Sequence, residues 1–293
     1  MFQKYQTSII WEGKKSEFKE FREEKREGKR EGKRKMSLEE MLLIVCPLVF
    51  LASFVDSIAG GGGLISLPAY LLTGMPAHMA IASNKFSAAV GTAISTARFI
   101  KSGQFHLKTA LKTAVFALIG SVLGAELALF LDDYYLRVVI MILLPCVAVF
   151  VLFNRKQFGD ESRFEEYSQK RVLIGSCLTG FGAGVYDGFF GPGTGTFLII
   201  AFTLVLGFDL KRACGNTKIV NLTTNVSALL VFLLAGKIYY EVAIPATLFS
   251  IAGNWVGSGM AIHNGAKFIR PVMCFVLFLM LLKIAYDMFA PVV

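Results

Sequence analysis

From residue 41 onward the chain is a succession of apolar stretches separated by short polar breaks, each near the roughly 20 residues that a bilayer-spanning helix needs. The pattern predicts helices over 41–58, 77–100, 107–131 and 134–153, a hydrophilic connector over 154–171, then helices over 172–190, 213–235, 240–262 and 268–289. The first helix of each set is interrupted. Glycine-rich breaks follow it, Gly60 to Gly63 in one set and Gly191 to Gly195 in the other, and an apolar piece resumes to Leu72 and to Leu206. Four consecutive glycines cannot continue an ordinary helix, since each costs about 1 kcal/mol relative to alanine. Pro192 removes a further donor from the second break. The expectation is an all-α integral membrane protein of about eight transmembrane helices, with a charged cytoplasmic tail over 1–40.

The two sets are one pattern written twice, as four-helix repeats over 41–153 and 172–293. Gly74, Lys85, Gly103 and Gly120 recur at one constant spacing as Gly207, Lys218, Gly236 and Gly253. Asp56 and Gly60 recur as Asp187 and Gly191 at a spacing shorter by two. If the glycine segments cross the membrane, the halves are parallel; if they dip and return, the halves are inverted. With eight simple crossings, Lys and Arg outside the tail concentrate on the side of the 154–171 connector. That arrangement places both termini and the connector in the cytoplasm.

Composition narrows the class. The chain is 55% hydrophobic and 17% charged, against about 45–50% and 25% for soluble domains. A net charge of +9 invites a nucleic-acid reading, but 12 of the 30 Lys and Arg lie in the first 35 residues, interleaved with acids. No partner motif accompanies them and little aromatic content is interleaved with them, so a solvated tail is the better account. Met36 opens a natural start for a membrane protein, and a chain beginning there is expected to insert without the tail. The five cysteines and three histidines are scattered without ligand spacing, which implies no metal, no cofactor and no disulfide framework.

Charged groups inside apolar segments are costly and by default mark a substrate or ion pathway. Lys85 and Lys218 are such groups. Lys218, Asn221 and Asn225 share one helix face, and Asn84 and Asn216 lie near the lysines. A helix restarting after a glycine break directs its positive end into the protein, which suits an anion. The candidate binding groups are therefore Gly60, Gly61, Gly62, Gly63, Asn84, Lys85, Gly191, Gly193, Gly195, Asn216, Lys218, Asn221 and Asn225. The lysines could instead snorkel or pair with the acids. Asp56 and Asp187 precede the breaks and suit either proton carriage or capping of the restarting helix. The Gly120/Gly124 and Gly253/Gly257 pairs read as helix-packing surfaces.

No HExxH, Ser/His pairing or Walker A motif is present, so neither an intramembrane enzyme nor direct ATP drive is supported. Duplicated glycine breaks fit a secondary transporter, with an anion channel as the alternative. The segments DSIAGGGGLISLPAYLLTGMPAHMAIASNK, GVYDGFFGPGTGTFLII and ACGNTK resemble the sulfite exporter TauE/SafE family of membrane proteins. The second half departs from the pattern, lacking a proline at Ile199 and placing Thr217 between Asn216 and Lys218. The resemblance implies transport of a small sulfur-containing oxyanion or organosulfonate across a prokaryotic plasma membrane.

Overall fold

The computed structural model describes residues 36–132, 134–136, 162–265, 267–269 and 271–272. The tail over 1–35, most of the expected fourth and eighth spans, and the connector over 154–161 lie outside the described residues. Eight α-helices are described in full: α1 (Leu38–Ala59), α2 (Gly63–Leu72), α3 (Ala77–Lys101), α4 (Leu107–Phe130), α5 (Gln169–Phe189), α6 (Thr194–Leu204), α7 (Leu210–Leu234) and α8 (Tyr240–Asn264). Helix starts carry their own chemistry. Ser37 and Glu40 form a reciprocal capping box at α1, Ser168 caps α5, and Asp209 accepts from the Lys211 and Arg212 amides at α7. By length and composition α1, α4, α5 and α7 can each cross a membrane. The protein is helical and membrane-embedded, with α4 turning Leu111, Val115, Leu118 and Leu123 outward.

The pairing of residues across helices fixes their directions. A Cβ on Gly180, Gly184 or Gly188 of α5 would run into the backbone of Thr113, Ala117 or Ser121 of α4, so these helices run parallel in close contact. Gly253 and Gly257 of α8 meet the backbone of Phe50 and Phe54 of α1 in the same rising order. Small residues allow both approaches, as expected for helices packed within a membrane. Ser83 accepts from the Tyr239 amide and Gly91 meets Ser250, so α3 and α8 are also parallel. His106 pairs with Asn216 and Ser121 with Thr224, which makes α4 and α7 parallel. Lys85 meets Asn225 while Thr96 meets Lys218, so α3 and α7 are antiparallel. Thus α1, α3 and α8 run one way and α4, α5 and α7 the other.

The glycine breaks explain this arrangement. Gly60 ends α1 with φ +77°, and the chain folds back so that Gly62 lies against Ala52 and Asp56. Helix α2 therefore returns toward the end of the bundle from which α1 started. The second break does the same, and Gly207, just beyond α6, accepts from the Arg163 amide before α5. Among the described residues, each half contributes a folded-back hairpin followed by two long helices, of 25 and 24 residues in one half and 25 and 25 in the other.

One observation bears on the expected sidedness. Ser162 to Ser168 lie with the start of α4, where Phe164 packs on His106 at 4.7 Å. The start of α1 lies at the opposite end, with the start of α3, whose His78 meets the Ala128 carbonyl at 3.0 Å. The described part of the connector and the start of the first helix are on opposite ends, because each glycine segment returns instead of crossing.

Candidate functional site

The hairpin tips meet inside the bundle. The Thr196 amide donates to the Gly60 carbonyl at 3.2 Å and the Thr196 hydroxyl to the Ala59 carbonyl at 2.9 Å. A Cβ on Gly60 would lie 2.5 Å from Gly195 Cα, and one on Gly63 would lie 2.9 Å from Pro192 Cα. Only glycine permits this approach. The sequence thus places irregular backbone at depth where other protein covers it, as a membrane interior requires.

The charged groups pair crosswise between the halves. Lys85 of α3 lies 2.8 Å from Asp187 of α5, both almost fully buried. Lys218 of α7 lies 3.5 Å from Asp56 of α1 and also donates to the Asp56 backbone carbonyl. Each lysine is the ninth residue of its 25-residue helix, about 12 Å from that helix's start at 1.5 Å per residue. Lys85 is 2% exposed and Lys218 0%, so neither snorkels to the surface; both are in ion pairs. The acids differ in their second partner. Asp56 Oδ1 accepts from the Gly62 amide at 3.3 Å, capping the return of the first hairpin.

A cavity of about 40 Å³ lies at this junction. One water needs at least about 10–15 Å³ by this measure, so the space suits a ligand of few atoms. Of the sequence-derived candidates, Asp56, Gly60, Gly62, Gly63, Asn84 and Lys85 line it, with Asp187, Gly191, Gly195, Asn221 and Asn225. The Lys85 ammonium also donates to Asn225 Oδ1 at 3.2 Å. A Cβ on Gly191 would sit 2.9 Å from its Nζ, so the glycine leaves room for the cation.

The lining does not include Gly61, Gly193, Asn216 or Lys218. Asn216 lies toward the connector end, where its Oδ1 accepts from the His106 amide at 2.7 Å and helps start α4. Lys218 is held beneath the first tip by Asp56. The equivalence of the two lysines in the sequence therefore does not extend to their surroundings. Sequence reasoning passed over Ser53, Ser250 and Asn254, which line the same cavity. Their signal was the row Ser250, Asn254 and Ser258 at successive i, i+4 positions of α8.

Paired charges and broken helices at the centre of an apolar bundle define a membrane transporter architecture. The comparisons agree. The family model for the sulfite exporter TauE/SafE matches residues 45–284, and the chain belongs to that family. A probable membrane transporter protein of Haemophilus influenzae is 36% identical over 248 residues, covering 85% of this chain and 96% of its own. The probable membrane transporter protein YfcA of Escherichia coli K12 is 34% identical over 237 residues, covering 81% and 87%. YdhB of Bacillus subtilis, another probable membrane transporter protein, is 24% identical over 224 residues, covering 74% and 88%. No solved structure matches the chain.

Proposed function

We propose that this transporter carries a small anion, a sulfur-containing oxyanion or an organosulfonate, across the plasma membrane by secondary transport. The observation that carries the reading is Lys85, a buried cation in the wall of a small cavity, with Asp187 at 2.8 Å as a carboxylate the anion can replace. An ammonium has three donors; Asp187 and Asn225 engage two of them among the described residues. An arriving anion takes the carboxylate's place on Lys85 and frees Asp187 to carry a coupled proton. Proton and anion movement are thereby coupled. Lys218 and Asp56 serve the first hairpin tip. The test is uptake of sulfite, thiosulfate, sulfonates and sulfate by liposomes holding the purified full chain under an imposed pH gradient. Gradient-driven accumulation with trans-stimulation by internal substrate supports the reading, and passive flux without counterflow points to a channel.

The two halves act as inverted repeats, with four described helices each, related through the meeting tips. Helix lengths that match to within one residue and the matched left-handed glycines support this: φ is +79° at Gly74 and +73° at Gly207, and +69° at Gly103 and +63° at Gly236. This layout reverses the orientation expected from simple crossings. Arg98, Lys101, Lys108, Lys112, Arg163, Lys170, Arg171, Lys211, Arg212 and Lys267 fall at the connector end, and Lys237 is the basic residue at the other among the described residues. Basic loops stay inside, so the connector end is cytoplasmic and the start of α1 faces outward. In a background freed of native cysteines, Lys108→Cys is expected to resist a membrane-impermeant maleimide in intact cells. Tyr134→Cys, at the opposite end and 72% exposed in the native residue, is expected to react. The reverse pattern would overturn this orientation.

A further inference from the structure

The cavity has a second, uncharged wall. Ser53 of α1 and Ser250 of α8 lie with their hydroxyl oxygens 2.8 Å apart, and Asn254 stands one turn beyond Ser250. All three line the same cavity as Lys85. Asn254 is 2% exposed, and its Oδ1 has no hydrogen-bond partner. Its orientation is fixed. The amide nitrogen donates to the Ser250 carbonyl at 3.1 Å, a contact that only the NH₂ group can make, so the oxygen is the atom left over. A buried acceptor without a donor is costly, which sets this atom apart from ordinary packing.

The wall is specific to one half. The positions matching Ser53, Ser250 and Asn254 in the other half are Gly184, Ala117 and Ser121. There Gly184 is pressed against Ala117, and the Ser121 hydroxyl donates to the Thr224 carbonyl. The pseudo-equivalent region is closed by helix contact. Gly91 keeps the open side open, since a Cβ there would lie 2.5 Å from Asn254 Nδ2. Gly91 follows Lys85 by six residues on α3, about 9 Å of helix rise, a separation that a ligand of a few non-hydrogen atoms bridges.

We infer that the transported anion is bifunctional: its charged head binds at Lys85, and a hydrogen-bond donor at its other end, a hydroxyl or amino group, is received by Asn254 Oδ1. This rests on the anion reading above and adds the substrate class to it. Asn254 is then the group that separates donor-bearing anions from otherwise identical ones. A site built to bind a hydroxyl discriminates against the analogue that lacks it, because its own buried group is left unpaired.

The test compares 2-hydroxyethanesulfonate with ethanesulfonate, which share a head and differ in one hydroxyl. Equilibrium binding is measured on the purified full chain in lipid nanodiscs, for the native protein, Asn254→Leu and Lys85→Met. The native protein is expected to favour the hydroxylated probe by roughly tenfold to a hundredfold. Asn254→Leu is expected to lose that preference while still binding ethanesulfonate, and Lys85→Met to bind both probes about tenfold to a hundredfold more weakly. Equal binding of the two probes by the native protein overturns the donor subsite and leaves the anion site standing. Binding of neither probe by the native protein overturns the sulfonate reading of the anion site and this proposal with it. The decisive comparison is made on the native chain and does not depend on a variant folding.

Discussion

Gly60→Ala is expected to abolish transport and to lower stability by about 2–5 kcal/mol, combining overpacking with the left-handed backbone. The new Cβ would lie 2.5 Å from Gly195 Cα and 2.6 Å from the Thr196 nitrogen, both backbone atoms that cannot rotate away. Relief requires the hairpin tips to separate, which breaks the Thr196 to Gly60 hydrogen bond and deforms the wall beside Lys85. Gly74→Ala supplies the control. Its φ of +79° matches the +77° of Gly60, but nothing lies within 4 Å of its Cβ position. That variant should lose only about 1–2 kcal/mol of backbone energy and keep its transport. Thermal unfolding in detergent and uptake in liposomes read both effects. Equal destabilisation by the two substitutions would mean that the tips do not meet as described.

Lys85→Met is expected to weaken anion binding by about tenfold to a hundredfold, through loss of a charge-assisted contact of about 1.5–3 kcal/mol. It should also destabilise the protein, because removing one member of a buried pair strands the other, at about 3–5 kcal/mol. The combination Lys85→Met with Asp187→Asn separates these effects. With both charges gone, stability should largely recover while anion binding stays weakened. Lys218→Met should behave differently. Asp56 is 17% exposed and retains the Gly62 amide, so the variant should loosen the first tip while retaining more of the anion affinity than Lys85→Met. Measured affinities and melting temperatures on the same preparations check this. Native anion affinity in Lys85→Met would remove the lysine from the site.

Much of the local structure was legible in the sequence. The expected helices over 77–100 and 240–262 correspond to α3 and α8, and the resumed pieces to α2 and α6. Apolar length and glycine breaks are local signals, and local signals set helix ends. The direction of a chain after a break is not local. Gly60 to Gly63 read equally well as a kink in a crossing and as a turn, and contacts with Gly195 and Pro192 from the other half decide between them. The loop count of basic residues inherited that ambiguity, because it assigned sides on simple crossings. Asn216 looked like a site residue because it neighbours Lys218, yet its side chain reaches His106. Asn254 was overlooked because one amide on an apolar helix acquires meaning only beside Ser53, Gly91 and Lys85.

The crossed pairs have an electrical consequence. Two lysines and two aspartates in ion pairs give the junction no net charge, so under the proposed function an anion arriving alone would turn it into a −1 carrier. Moving one elementary charge through the full potential is worth about 2.3 kcal/mol per 100 mV. If Asp187 takes up a proton as a monovalent anion settles on Lys85, the loaded junction is again neutral, and carriage is blind to voltage. A divalent anion such as sulfate leaves one charge uncompensated under the same exchange, so its movement draws current and feels the membrane potential directly.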